Sequence, residues 1–168
     1  MTEQNREAIR RWVEDMWNKG DRQLCTELMA TDFVEHAHAP FSDHEPGPVD
    51  GPETMRASMD WLLGQFPDLT MRIQALIVEG DIAALRVSSE GTNLGRLNGR
   101  LPPSGKRFHA DQSHWFRLEH GKIAEHWATR DDLVSMLQLG VVSKPRLAAL
   151  VRQLPAAVAH RLRDGDRG

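Results

Sequence analysis

Histidine is the side chain through which this sequence could do chemistry near neutral pH. Eight occur, at positions 36, 38, 44, 109, 114, 120, 126 and 160. A histidine set in an apolar wall can take a proton from a bound molecule and later return it. His109, His114 and His126 fall in two runs, 108–118 and 122–129, that read as strands joined by a tight turn at His120 and Gly121. Such a hairpin sets His114 opposite Trp127 and Trp115 opposite His126. Strand alternation then places His114, Phe116, Leu118, Ile123 and Trp127 on one face, apolar apart from His114 and Glu125. This face is expected to be a cavity wall carrying one titratable group. The other face, with Asp111, Ser113, Trp115, Arg117 and His126, is expected at solvent or at a dimer contact. A β-bulge in either strand would exchange the two assignments.

Two more groups compete for a role beside His114. Asp131 and Asp132 open a short helix expected over 131–138. One of them suits the N-cap, and the other is free to point across a cavity mouth. A carboxyl near apolar walls holds its proton to higher pH and can act as a general acid or base. His36 ends a short strand, 32–36. With His38 and His44 it offers a possible metal cluster, but the three lack a recognised ligand spacing, so a metal-dependent enzyme is an alternative rather than the expectation. There is no Gly-rich nucleotide loop, CxxC, GxSxG or HExxH. The one cysteine, Cys25, lies in a helical stretch and reads as a small buried apolar group.

The elements that must position these residues are legible from periodicity. Ile9, Trp12, Val13, Met16 and Trp17 recur at helical spacing, and Asn18, Lys19 and Gly20 end the run. Asp21 caps a second short helix. The segment 38–52 is proline-rich and reads as a loop. Pro52 opens a third helix that carries Met55, Met59, Leu62, Leu63 and Phe66 on one side, and Pro67 stops it. Strands follow over 69–78, 82–92, 108–118 and 122–129, with a bend in the Gly/Asn/Pro-rich stretch 91–105. Helices first and strands afterwards argue for an α+β fold: a curved antiparallel sheet packed with N-terminal helices around a conical cavity. The chain is expected to form one domain over 1–142. An amphipathic basic helical extension, broken at Pro155, is expected over 143–168.

The 168 residues suffice for one core with a deep pocket. A formal net charge of -3 provides no field for nucleic acid or anionic lipid. No run approaches the roughly 20 apolar residues of a membrane span, and the charged start lacks a signal peptide's apolar stretch, so a cytoplasmic protein is expected.

Five segments, ATDFVEH, GPETMRASMDWLLGQFPDLTMRI, VEGDIAALRVSSEGTNLG, LPPSGKRFHADQSHWFRLEHGKIAEHW and DDLVSMLQLG, together resemble the SnoaL-like polyketide cyclase family of the nuclear-transport-factor-2-like superfamily. They cover most of 30–140 in the family's order. The resemblance implies a cone-shaped α+β barrel, often dimeric through its outer sheet. It also implies aldol-type ring closure of a polyketide ester without metal or organic cofactor. His114 matches the family's strand histidine, His36 the polar residue after the first short strand, and Asp131 an aspartate after the EHW run. Two positions depart from the pattern. Ala128 stands where the family's catalytic aspartate aligns, and Asn93 replaces the histidine of a GTH turn.

The expectation is therefore a cofactor-independent enzyme, a homodimer, acting on a small apolar cyclic or polyketide-like molecule. His114 would be the base, with Asp131 or His36 as its partner. Phe33, Met59, Leu63, Asn93, His109, Phe116 and Trp127 would contact substrate. A non-catalytic binding protein on the same fold is the alternative, motivated by Ala128.

Overall fold

The computed structural model describes residues 2–37 and 47–143. The chain begins with helix α1, Thr2–Arg11, which has Glu3 in its first turn and Arg10 and Arg11 in its last, each sign at the end of the helix dipole that favours it. It runs directly into a π-helical stretch, Trp12–Trp17, in which Trp12, Val13, Met16 and Trp17 are all buried. The wider turn is visible in the Asn18 N–H, which donates to the Val13 carbonyl five residues back. The Asn18 side chain then locks this layer to the sheet. Its amide donates to the Met71 carbonyl and accepts from the Met71 N–H, both at 2.8 Å.

A short helix α2, Leu24–Leu28, leads into strand β1, Met29–Glu35; the two-residue strand β2, Gly47–Pro48, pairs with β1. Helix α3, Gly51–Gln65, carries Pro52 in its first turn, where no backbone donor is needed. Gly51 lets α3 press on β1, since a Cβ there would lie 2.0 Å from the Ala30 carbonyl oxygen. Strands β3, Thr70–Glu79, β4, Ile82–Thr92, β5, Arg107–Glu119, and β6, Lys122–Arg130, form a continuous antiparallel meander. Helix α4, Asp132–Leu139, closes the described fold and packs on β5.

The six strands are ordered β2-β1-β6-β5-β4-β3. One pairing differs from the all-antiparallel expectation: β1 runs parallel to β6, with Glu35 in register with His126. The crossing is made by the long connection through α3 and the meander, so no hairpin turn constrains its direction. The core lies between the helices and the sheet's inner face. Ile9, Val13 and Met16 from the helices meet Phe33, Leu85, Val87, Phe116 and Ile123 from the strands. Each such side chain contributes roughly 1.5–3 kcal/mol by leaving water. No helix among the described residues is long and apolar enough to cross a membrane. The extension expected after residue 142 lies outside the described residues apart from Ser143.

A bulge beside the turn between β5 and β6 decides which residues face the cavity. His120 and Gly121 both have positive φ, 50° and 77°, as a two-residue hairpin turn requires. Near that turn the pairing follows the sequence expectation, with Glu119 opposite Lys122 and Leu118 opposite Ile123. A bulge then inserts Ala124, and Arg117 faces Glu125. Beyond it Phe116 faces His126, Trp115 faces Trp127 and His114 faces Ala128. Ile123, Ala124 and His126 are buried, and Trp127 is exposed. The bulge thus turns His126 inward and moves Trp127 and Glu125 to the outer face, reversing their expected sides.

Candidate active site

A cavity of about 630 Å³ opens between the helical layer, the inner face of the sheet and α4. Trp12, Trp17, Met55, Leu62, Phe66 and Met71 make its apolar side. The π-helical turn explains why both tryptophans contribute: i→i+5 winding brings residues five apart onto neighbouring positions, where regular α-winding would separate them. Glu35, Gln112, His114, His126, Arg130 and Asp132 make a polar side from β1, β5, β6 and the start of α4.

Four of these polar groups form one line. Glu35 places its two carboxylate oxygens 2.9 and 3.0 Å from His126 Nδ1. His126 Nε2 lies 2.9 Å from His114 Nδ1. His114 Nε2 lies 3.0 Å from Gln112 Oε1. The line is held by packing. His114 and His126 are stacked at 12° between planes, Phe116 lies beneath both, and the Trp12 ring leans on all three. Glu35 is itself fixed by the Ala37 N–H, which donates to Oε1 at 2.8 Å.

Hydrogen-bond polarity limits what this line can hold. A carboxylate only accepts, so His126 Nδ1 carries a hydrogen. His126 Nε2 and His114 Nδ1 then share one proton between them. Where it sits on His126, that ring is an imidazolium against Glu35, and His114 Nε2–H donates to the Gln112 carbonyl. Where it sits on His114, both rings are neutral, His114 Nε2 is a lone pair, and the Gln112 amide turns to donate to it. Burial above all, with His126 and Arg130 alongside, holds His114 well below the usual histidine range. His114 is therefore a neutral imidazole at pH 7.

Asp132 lies across the same cavity, half-buried, with its carboxylate 3.5 Å from Arg130 Nε. Burial raises its pKa, partly offset by Arg130. A histidine held below its usual range and a carboxyl held above its own thus face one cavity. Ala128 lies between inward-facing His126 and Arg130, opposite His114.

The residues singled out by the sequence separate into three groups. His114 lines the cavity. Phe33, Met59 and Phe116 are buried in the core behind the lining, and Leu63 is partly buried against that core. The others lie elsewhere. Asp131 is the N-cap of α4, accepting the Val134 N–H at 3.3 Å, because the strand ends at Arg130 and the next residue must satisfy the helix start; it is Asp132 that lines the cavity. His36 stacks on Trp127 at 4.5 Å and bonds Glu125 at 2.7 Å on the outer face; with Arg117 it holds the Glu125 carboxyl below its usual range. His109 is exposed 3.8 Å from Glu90. Asn93 is buried, donating to Gln65 O and Gly95 O and accepting the Ser104 N–H, so it shapes the 94–105 loop. Trp127 is on the outer face for the reason given above. His38 and His44 lie outside the described residues, among which no three metal-ligating side chains converge. The sequence reading put His126 on the outer face, and it did not single out Glu35. The signal that could have found them is the tight turn itself, combined with a bulge that no residue type announces.

The architecture recurs in solved structures. IdmH from Streptomyces antibioticus superposes with a TM-score of 0.69 at 31% identity, covering 81% of this chain and 98% of that one. In sequence, the aklanonic acid methyl ester cyclase DnrD of Streptomyces peucetius is 29% identical over 136 residues, 80% of this chain and 89% of that protein. The nogalonic acid methyl ester cyclase of Streptomyces nogalater is 26% identical over 126 residues, 74% and 89% of the two chains. The family model described as SnoaL-like polyketide cyclase matches residues 7–139, nearly the whole described fold. The chain therefore belongs to the SnoaL-like polyketide cyclase family.

Proposed function

We propose that this protein is a cofactor-independent acid–base enzyme that closes or isomerises a ring in a small polyketide-like substrate. The observation that carries the reading is His114, neutral at pH 7, set in the polar side of a largely apolar cavity large enough for a fused-ring molecule. His114 takes an acidic C–H proton beside a carbonyl, leaving an enolate. Asp132, which keeps its proton to higher pH than an ordinary carboxyl, donates to the oxygen on which charge develops, and Arg130 adds positive charge there. The enolate carbon then attacks a second carbonyl of the same molecule.

The methyl esters named for the two relatives, aklanonic and nogalonic acid methyl esters, are the first substrates to offer. Turnover by the native chain, reduced by about 10²–10⁴-fold in His114→Ala, is the expected result. Full turnover in that variant removes His114 from the chemistry. Ala128 favours a second reading, a binding protein that recognises such molecules without changing them, because the residue paired with His114 carries no carboxylate. An ester bound tightly by the native chain and recovered unaltered would select it. The outer face, where exposed Trp115 and Trp127 are paired neighbours, is the proposed contact of a homodimer. Light scattering that finds a monomer at micromolar concentration removes that contact.

A further inference from the structure

A buried, depressed imidazole poses a problem for the proposed reaction. His114 is free to accept a proton because it is neutral, but the imidazolium it would become is disfavoured where it stands. Arg130 from β6 and Arg100 from the 94–105 loop present positive charge to the same cavity. The α3 residues that line it, Thr54, Ser58 and Gln65 among them, add no charge. Asp132 from α4 faces Arg130. The one carboxylate in line with the histidines is Glu35 on β1, and it touches His126.

We infer that Glu35 and His126 are positioning residues that draw the proton's charge away from His114, so that the imidazolium forms on His126 against Glu35. The inference rests on the proposed acid–base function for its catalytic step and on the line of contacts from Glu35 to Gln112 for its proton path. In the resting state His126 Nδ1–H donates to Glu35, His114 Nδ1–H donates to His126 Nε2, and the Gln112 amide, turned to present its N–H, donates to the lone pair of His114 Nε2. Substrate displaces the Gln112 amide. The substrate C–H bond breaks, an N–H bond forms at His114 Nε2, and the electron pair moves onto the substrate carbonyl as enolate. The His114 Nδ1–H proton passes across the 2.9 Å gap to His126 Nε2. One positive charge results, on the ring that contacts a carboxylate, and one negative charge, on the enolate oxygen. After the carbon–carbon bond forms, His126 Nε2 returns its proton to His114 Nδ1, and His114 Nε2 gives its own proton to the new alkoxide, so both rings end neutral. Like charges on adjacent stacked rings would repel, so the pair holds one proton more than neutral and not two.

The path can be tested without substrate. Protein labelled with ¹⁵N-histidine, with signals assigned through His114→Gln and His126→Gln variants, reports which ring nitrogens carry hydrogen. On acidification the ring of the pair that becomes doubly protonated is expected to be His126, with His114 still neutral. In Glu35→Gln, which keeps an acceptor but removes the charge, His126 is expected to stay singly protonated at that same pH, and Glu35→Asp is expected to restore the native pattern. Double protonation of His114 first, or an unchanged His126 signal in Glu35→Gln, overturns the inference. With the methyl esters above, Glu35→Gln is expected to lower kcat by about 10²-fold with KM within twofold, and Glu35→Asp to recover much of it. A native-like kcat in Glu35→Gln also overturns the inference. Absence of turnover by the native chain counts against the proposed function, and the nitrogen spectra still decide the proton path.

Discussion

The depressed His114 makes folding stability depend on pH in a direction that can be worked out beforehand. In the unfolded chain its imidazole takes up a proton near pH 6.5, the usual histidine value. In the folded chain burial prevents this until well below that pH. Between the two values the unfolded state binds more protons, so stability rises with pH. The contribution is fully present above the unfolded value and is lost as pH falls toward the folded one. For a single site that stays neutral in the folded state, moving from pH 7.5 to pH 5.5 costs about 1.4 kcal/mol, or about 4 °C in Tm for a chain this size. The assay is urea unfolding at both pH values for the native chain and for His114→Gln. The substitution itself lowers stability by roughly 1–3 kcal/mol through lost contacts, at either pH. The readout is therefore the change between the two pH values, and the native chain should lose about 1.4 kcal/mol more than the variant. The oppositely signed contribution of Asp132, present below its unfolded value and lost as pH rises through its raised folded one, is common to both proteins and cancels. Parallel declines would refute the claim that His114 is held neutral by burial.

Asp132 should shape the alkaline side of the activity profile. As a proton donor it is active only while protonated, so kcat/KM with a turned-over methyl ester should fall as pH rises through its raised value, and Asp132→Asn should be slower and lack that fall. Two glycines near the cavity rim should respond in opposite ways. A Cβ at Gly95 would sit 1.8 Å from the Gly64 carbonyl oxygen, so Gly95→Ala should destabilise by about 2 kcal/mol or more and displace the loop that carries Leu97 and Arg100, as thermal melts and ligand binding would register. Gly64, inside α3 with open space at its Cβ position, should gain about 0.5–1 kcal/mol on substitution by alanine.

The elements of this fold are written locally. Hydrophobic periodicity, Pro52 and Pro67, and the turn residues at Gly80 and at His120 and Gly121 depend on neighbours a few positions away, so the order of helices and strands and the α+β class follow from the sequence alone. Local chemistry also pointed to His114 on the β5–β6 hairpin as a cavity-facing histidine, and His114 does line the cavity. Tertiary structure decided the rest, because it depends on contacts distant in sequence. The single extra residue at Ala124 reverses the facing of His126 and Trp127, and strand propensity does not register a bulge. Glu35 reaches His126 across a separation of 91 residues through a parallel pairing that no hairpin signal marks. The choice between two adjacent aspartates was settled by where β6 ends: Asp131 caps the helix and Asp132 faces the cavity. Trp12 and Trp17 share the cavity because a π-turn rewinds the helix there, and no local residue signal marks that turn. The sequence by itself determined that a histidine on a hairpin would face an apolar cavity, whereas the partners that give that histidine a proton path exist only once the strands have paired.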